Sequence, residues 1–308
     1  MENKNIWLTY SAEEKEELHK ICELYKSWLD KGKTERECVE LAVELAEKAG
    51  YHNLEEYLSE ERQIQKGEKI YAVCMKKCIV LFRMGAEPIS AGMNILGAHI
   101  DSPRIDIKQN PLYEKDDFTY LDTHYYGGIK KYQWVTQPLA LHGVVVKKDG
   151  SCVNISIGER EDEPVFVITD LLVHLASKQL EKKAGEVIEG EKLDILVGNC
   201  PIERDENLKE ERETVKANVL KILEEAYGIS EEDFASAELE IVPSGKARDI
   251  GFDRSMILAY GQDDRICAFT SIMAMLSVRP RRPRLRLPVL QGNVRAWKRK
   301  TYRCLPAC

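Results

Sequence analysis

The chain has 308 residues, of which 44% are hydrophobic and 31% are charged. This length allows one large domain or two ordinary ones, each with a sizeable core. No apolar run has the length of a signal-peptide core or a membrane span, and nine cysteines are scattered without a C-x-x-C pair. These features argue against a membrane partner and predict a cytoplasmic protein with reduced thiols rather than disulfides or a zinc knuckle.

The formal charge of −7 hides an acidic body and a basic end. The segment after residue 278 holds ten Lys or Arg and no acid, which leaves 35 of the 45 basic residues against all 52 acidic ones in the body. Because nucleic-acid phosphates need compensating cations, the acidic body argues against nucleic acid as a partner. The basic end alone could meet RNA or a membrane surface, but it has no amphipathic stripe, and its Arg-Pro composition predicts a solvated, disordered segment.

Two helices are predicted near the N-terminus. Ser11 with Glu14 and Thr34 with Glu37 both have the spacing of a capping box, and apolar residues recur at helical spacing behind each pair. Gly50 is the expected end of the second helix. Both helices are interpreted as packing elements only.

Strands follow these helices. Residues 71–74 and 78–82 read as two strands, and residues 94–100 as a buried strand that Pro103 brings to an end. His99 and Asp101 lie at its end, two positions apart, so they share one face at the edge where open α/β sheets bind ligands. The pair suits a metal-binding imidazole held by a carboxylate, or only a hydrogen-bonded histidine at a strand end.

After Pro103 the apolar residues alternate at period two instead of recurring at helical spacing, which predicts a β-rich insertion. Residues 144–146 and 153–157 flank Asp149-Gly150, a strong hairpin signal. Further along, Thr169 is expected to cap a helix that contains four leucines, with His174 as a packed or exposed residue. The leucines of this helix are Leu171, Leu172, Leu175 and Leu180. A second helix is predicted over residues 215–226. A strand is predicted from residue 237 to Pro243, where Ala237, Leu239 and Ile241 alternate.

Two neighbouring acids open the last predicted helix. A strand over residues 256–260 leads into Gln262-Asp263-Asp264-Arg265, and apolar residues then keep helical spacing to residue 276. One aspartate is explained as an N-cap. Two acids with an arginine after a strand suit a metal site at the edge of a sheet equally well.

Several motifs occur together in one order: Gly97-Ala98-His99-Ile100-Asp101-Ser102-Pro103, the Gly127-Gly128 turn with Trp134, and Gly251-Phe252-Asp253-Arg254 leading to Gly261-Gln262-Asp263-Asp264-Arg265. Over about residues 5–277 the chain resembles the aspartyl aminopeptidase and vacuolar aminopeptidase-I family of zinc metallopeptidases. On its own, the glycine turn beside the aromatics reads as a tight bend or a contact loop.

The resemblance implies an α/β fold, with a three-layer α/β/α catalytic domain around a mixed sheet and an inserted β-rich dimerisation domain. The catalytic domain would take residues 1–103 and 247–277, and the insertion would take residues 104–246. Residues 278–308 lie outside the resemblance and are expected to be a basic Pro/Arg tail that is disordered or translated out of frame. By position, His99 matches a metal ligand, Asp101 the catalytic-site acid that orients it, and Asp264 the aspartate that bridges two zinc ions. Cobalt or manganese would also fit such ligands.

The implied reaction is the release of N-terminal residues from peptides by a metal-activated water. The resemblance also implies dimers that build larger homo-oligomeric assemblies. The sequence departs from the family after the Asp264 helix. The glutamate base and the later metal ligands expected for the family have no counterpart in residues 278–308. The C-terminal part of the catalytic domain is therefore expected to be missing. We therefore expect this chain to be nearly inactive and poorly soluble. The alternative is a non-catalytic protein that assembles through its middle domain.

Overall fold

The computed structural model describes residues 5–85, 87, 89–202, 213–277 and 285–291. The chain divides into two compact units. We call residues Pro103–Gly245 the inserted unit, and residues Met1–Ser102 together with Lys246–Cys308 the outer unit. Each boundary lies one residue from the predicted one.

The first segment of the outer unit holds three helices and four strands. The capping boxes of Ser11 and Thr34 are both present, so the two predicted helices are confirmed. A third helix, residues 54–59, was not predicted. The elements are α1 (Ala12–Lys31), α2 (Glu35–Lys48), β1 (His52–Asn53), α3 (Leu54–Ser59), β2 (Lys69–Cys74), β3 (Cys78–Arg83) and β4 (Met93–His99).

The inserted unit consists mainly of strands, as predicted. Its elements are β5 (Arg104–Lys115), β6 (Phe118–Tyr126), β7 (Leu139–Val146), β8 (Cys152–Ile157), α4 (Ser177–Leu180), β9 (Ile195–Gly198), α5 (Thr214–Tyr227) and β10 (Ala237–Pro243). The strands form one antiparallel sheet in the order β8-β7-β10-β5-β6-β9. Three predictions are confirmed in this unit. The predicted hairpin is β7 and β8, the helix predicted over residues 215–226 is α5, and the strand predicted to reach Pro243 is β10.

The predicted helix after Thr169 is wrong. Residues 173–175 form a single 3-10 turn, α4 has four residues, and neither turn has a side-chain cap. The segment packs little of its apolar surface, since Leu172 is 72% exposed and Leu175 69% exposed. A helix of this length depends on burying its apolar face, so helical spacing alone did not suffice here.

The second segment of the outer unit returns to the first sheet. It contains β11 (Arg248–Ile250), β12 (Met256–Leu258), α6 (Gln262–Ser277) and β13 (Leu285–Gln291). β11 and β12 pair as a small antiparallel hairpin, with residues 251–254 as its turn. Residues 285–291 form a strand, so the prediction of disorder is wrong for this segment. Leu285, Leu287 and Val289 alternate at period two, which is a strand signal in the sequence. The rest of the predicted tail lies outside the described residues.

The sheet of the outer unit is mixed, as expected, and has the order β1-β2-β3-β13-β4. β13 runs antiparallel to β3 and parallel to β4, and β1 is parallel to β2. Among the strands that the structure describes, β4 is the last in this order and pairs with β13 alone. Its exposed residues, among them Ile95 at 52%, show that the prediction of a buried strand was wrong at this position.

The core of the outer unit lies between the sheet and the long helices. Phe269 of α6 is 1% exposed and packs its ring against Tyr25 and Trp28 of α1, at centroid distances of 5.0 and 5.9 Å. Residues from α2, β2 and β3 complete the same cluster. Helix α6 contacts β4 as well. Within the described part of the chain, no helix combines the length and the apolar character needed to cross a membrane.

Candidate metal site

The candidate site lies in the outer unit, where β4 ends and α6 begins. His99 is the last residue of β4, and Asp264 is the third residue of α6. Asp263 and Asp264 have non-helical backbone angles although they lie within the bounds of the helix, so regular helix starts after them. The His99 side chain is 51% exposed and that of Asp264 30% exposed, which leaves both accessible to an ion or a substrate.

The His99 ring contacts a carboxylate on each side. Its Nδ1 lies 3.1 Å from Asp101 Oδ1 and 3.2 Å from the Asp101 main-chain oxygen. Its Nε2 lies 3.4 Å from Asp264 Oδ2. A hydrogen on Nδ1 is satisfied by Asp101, and this tautomer leaves the Nε2 lone pair directed toward Asp264.

The spacing of these two atoms suits a shared cation. Two ligand atoms that each lie about 2.0–2.2 Å from a tetrahedral zinc ion are separated by about 3.3–3.6 Å. The 3.4 Å between His99 Nε2 and Asp264 Oδ2 falls in this range, and it is long for an N–H···O hydrogen bond. Nowhere in the described ranges do three or more His, Cys, Asp or Glu side chains gather in a metal-binding cluster, so His99 and Asp264 are a pair of ligand type rather than a complete set.

Cys267 lies one helical turn after Asp264 and is exposed. The Asp264 carboxylate accepts a hydrogen bond from its thiol, and this bond together with burial raises the pKa of Cys267 above its ordinary value.

Two further side chains connect the segments that carry His99 and Asp264. The Ser102 hydroxyl, in a residue 2% exposed, lies 2.5 Å from the Asp263 carbonyl oxygen, to which it donates. Arg265 is 1% exposed, and its Nε donates to the Ile100 carbonyl oxygen at 3.1 Å. Both residues belong to the sequence motifs; one interpretation placed Arg265 with the two aspartates in a metal site, and no role was predicted for Ser102. Their partners become visible only in the folded chain.

Gly261 is the one local signal for the buried arginine. Its φ is +83°, and a Cβ at this position would lie 2.4 Å from Arg265 Nη1. A glycine four residues before Arg265 therefore leaves room for the guanidinium group at the start of α6.

The other motif residues have structural surroundings of their own. Trp134 is 7% exposed and lies in the inserted unit. Gly127, at a φ of +79°, follows β6, where a Cβ would lie 3.3 Å from Pro103. These contacts account for the glycine turn as a tight bend. His174 lies in the short 3-10 turn of residues 173–175.

Comparison with known proteins identifies relatives over most of the chain. The family model described as "Aminopeptidase I zinc metalloprotease (M18)" matches residues 28–286. The probable M18 family aminopeptidase 1 of Clostridium acetobutylicum is 56% identical over 278 residues, which are 90% of this chain and 59% of that protein. The chain thus spans about 59% of the length of this curated relative.

Solved structures show the same likeness. The crystal structure of aminopeptidase I from C. acetobutylicum has a TM-score of 0.84 and 52% identity, covering 94% of this chain and 62% of that one. The M18 aminopeptidase from Thermotoga maritima has a TM-score of 0.86 and 42% identity, covering 95% and 61%. The mApe1 dodecamer of S. cerevisiae has a TM-score of 0.65 at 17% identity, covering 89% and 60%, and shows a likeness of fold alone. With a family model that matches residues 28–286, the chain belongs to the M18 family of zinc metallopeptidases.

Proposed function

We propose that this chain carries part of the metal centre of an aminopeptidase, with His99 and Asp264 as metal ligands and Asp101 as the residue that orients His99. The observation that carries the proposal is the 3.4 Å between His99 Nε2 and Asp264 Oδ2, in a ring whose other nitrogen is held by Asp101. The substrates are peptides that lose their N-terminal residue. The site takes zinc, with two ions in the complete centre, and it accepts cobalt or manganese as well.

The chain's own residues supply the binding and orientation. Asp101 fixes the His99 tautomer, so the Nε2 lone pair is available to an ion. Asp264 adds a carboxylate 3.4 Å away, which contributes charge and a second oxygen ligand. A metal bound here would polarise the scissile carbonyl and lower the pKa of a bound water. Both side chains are partly exposed, so a peptide can approach them from solvent.

Metal titration tests the ligand assignment. The purified chain is stripped with a chelator and titrated with Zn²⁺ against a chromogenic competitor. We expect His99→Ala and Asp264→Asn each to weaken zinc binding by about 100-fold or more, since each removes a ligand atom and the loss of a residue that only orients a ligand already costs about 10- to 100-fold. His52→Ala is the matched control because His52 is exposed and lies in β1 at the other edge of the sheet.

Unchanged zinc affinity in His99→Ala would reject the proposal. Hydrolysis of amino-acyl chromogenic peptides is measured in the same samples with and without zinc. The expectation of slow hydrolysis by this chain stays a prediction, and zinc-dependent turnover at ordinary enzymatic rates would contradict it.

We also propose that the protein forms homo-oligomers through its inserted unit. Exposed apolar side chains cluster in one segment of that unit, namely Leu171, Leu172, Val173, Leu175 and Leu180, with exposed fractions from 55% to 72%. Large exposed apolar patches of this kind are typical of protein interfaces. The related mApe1 is a dodecamer, which supports assembly of this fold.

Light scattering after size exclusion tests the assembly. The wild-type chain should be larger than its monomer mass of 35.2 kDa. The double variant Leu172→Glu/Leu175→Glu should be a monomer. Leu8→Glu, which changes a leucine of the outer unit that is 83% exposed, should not alter the mass. A monomeric wild type would contradict this proposal.

We place the protein in the cytoplasm. The seven cysteines among the described residues are free thiols. Such thiols persist where glutathione and thioredoxin keep them reduced. Fractionation of cells that express the protein would test this location.

A further inference from the structure

Arg265 is a buried cation with three backbone acceptors. Its Nη1 donates to the Gly32 carbonyl oxygen at 2.6 Å, its Nη2 to that of Lys33 at 2.8 Å, and its Nε to that of Ile100 at 3.1 Å. Gly32 and Lys33 form the connection between α1 and α2. One side chain therefore holds three separate parts of the outer unit together.

A guanidinium group is costly to remove from water, so its position needs a compensating arrangement. Charge-assisted hydrogen bonds from a rigid, planar donor set provide it here, and they also fix direction. Arg265 further lies over the ring of Tyr260, with 5.3 Å between its Cζ and the ring centroid. Such a group tolerates little displacement of the atoms around it.

The positions of these partners relate Arg265 to the candidate site. Ile100 lies between His99 and Asp101, and Arg265 itself directly follows Asp264. The Arg265–Ile100 hydrogen bond thus joins the two chain segments that carry the proposed ligands, one residue away from each of them.

Ser102 makes a second connection in the opposite direction. Its hydroxyl lies 2.5 Å from the Asp263 carbonyl oxygen and 3.4 Å from that of Gly261. The segment 261–265 therefore holds the backbone of the segment 99–102 through Arg265, and the segment 99–102 holds the backbone of 261–265 through Ser102. We name this reciprocal pair, Arg265 and Ser102, the segment tie.

We propose that Arg265 and Ser102 are positioning residues that set the separation of His99 Nε2 and Asp264 Oδ2 for metal binding. The inference rests on the proposed function and extends it to residues that touch no ion themselves. Metal ligands must be held within about 0.5 Å of the productive geometry, and looser support weakens the site. Arg265 and Ser102 provide this support because both are almost completely buried and each bonds to the opposite segment.

The test compares zinc affinity, cobalt absorption and stability in the 308-residue chain. Arg265→Lys keeps the charge but cannot reach three divergent acceptors. Arg265→Met removes the donors at similar length, and Ser102→Ala removes only the hydroxyl. Zinc affinity is measured without urea, by competition with a chromogenic chelator, on variants that are folded. Co²⁺ absorption reports the coordination geometry.

We expect zinc affinity to fall by about tenfold in both Arg265 variants and by a smaller factor in Ser102→Ala, with an altered Co²⁺ spectrum in each. Leu29→Ala is the control for a purely structural effect. Leu29 is completely buried in the same core, but it lies outside the segment tie. This variant should lower the urea midpoint and leave the zinc affinity and Co²⁺ spectrum of the folded protein unchanged.

The outcomes separate this inference from the proposed function. If His99→Ala binds zinc like the wild type, the metal site itself is rejected, and this inference with it. If His99→Ala loses zinc while Arg265→Lys and Ser102→Ala retain wild-type affinity and spectrum, the metal site stands and the positioning role is rejected. Since Ser102→Ala removes a single atom, it decides the matter even if the Arg265 variants fail to fold.

Discussion

Removal of the Asp101 carboxylate should weaken zinc binding by about tenfold. A carboxylate that holds the second nitrogen of a metal-binding histidine fixes the tautomer and raises the basicity of the ring, and its loss typically costs 10- to 100-fold in affinity. Two observations place Asp101 at the lower end of this range. The His99 side chain is 51% exposed, so solvent screens the charge of the carboxylate. The Asp101 main-chain oxygen, 3.2 Å from Nδ1, remains as an acceptor after the side chain is removed.

A tenfold loss corresponds to about 1.4 kcal/mol in binding free energy. Asp101→Asn should lose less than Asp101→Ala, about threefold, because the amide oxygen still accepts the Nδ1 hydrogen and only the charge is lost. The assay is competition of Zn²⁺ between the protein and a chromogenic chelator at pH 7. Asp162→Ala is the control, since Asp162 is an exposed aspartate of the inserted unit.

Two results would refute this reasoning. Wild-type affinity in Asp101→Ala would show that Asp101 does not support His99. A loss far beyond 100-fold would show that Asp101 contacts the ion directly, because an orienting residue does not account for so large an effect.

Two further predictions concern stability. Thr34→Ala should lower the free energy of unfolding by about 1–2 kcal/mol, because Thr34 is buried and forms a complete capping box with Glu37; Ser11→Ala, at an exposed cap of the same type, should cost about 0.5–1 kcal/mol, and urea unfolding of both variants checks the order. Tyr71 has its pKa raised to about 12 by burial and by its hydrogen bond to Glu47. The folded state therefore disfavours the tyrosinate, so this contribution to stability is complete below pH 10 and is lost as the pH rises toward 12. Between these values the stability of Tyr71→Phe should fall less steeply than that of the wild type, and equal slopes in chemical denaturation would contradict the assignment.

Elements with local signals could be predicted from the sequence. Each capping box, at Ser11 and at Thr34, depends on two residues three positions apart. The hairpin of β7 and β8 is likewise indicated by a local signal, the adjacent residues Asp149 and Gly150 in its turn. Where stability comes from distant packing, the pattern was insufficient. The leucines after Thr169 have helical spacing but little to pack against. β4 has the composition of a buried strand, although it is the last strand of its sheet in the part of the chain that the structure describes.

The candidate site divides along the same line. His99 and Asp101 share a face because they are two positions apart, which the sequence alone implies. The placement of Asp264 beside them came from the resemblance to a family, since no local rule joins residues so far apart. The hydrogen bonds of Arg265 could not be predicted, because its three acceptors are backbone carbonyls of other segments. Every residue has a backbone carbonyl, so the sequence does not show which of them accept these bonds.

The insertion between β4 and α6 has a consequence for biosynthesis. His99 and Asp264 are separated by 165 positions in the chain. At a translation rate of about 5–20 residues per second, the ribosome makes Asp264 roughly 8–33 s after His99. During this interval the inserted unit is completed, whereas the His99 ring cannot yet meet its partner carboxylate. Contact between the two can form only after the entire insertion has been synthesised.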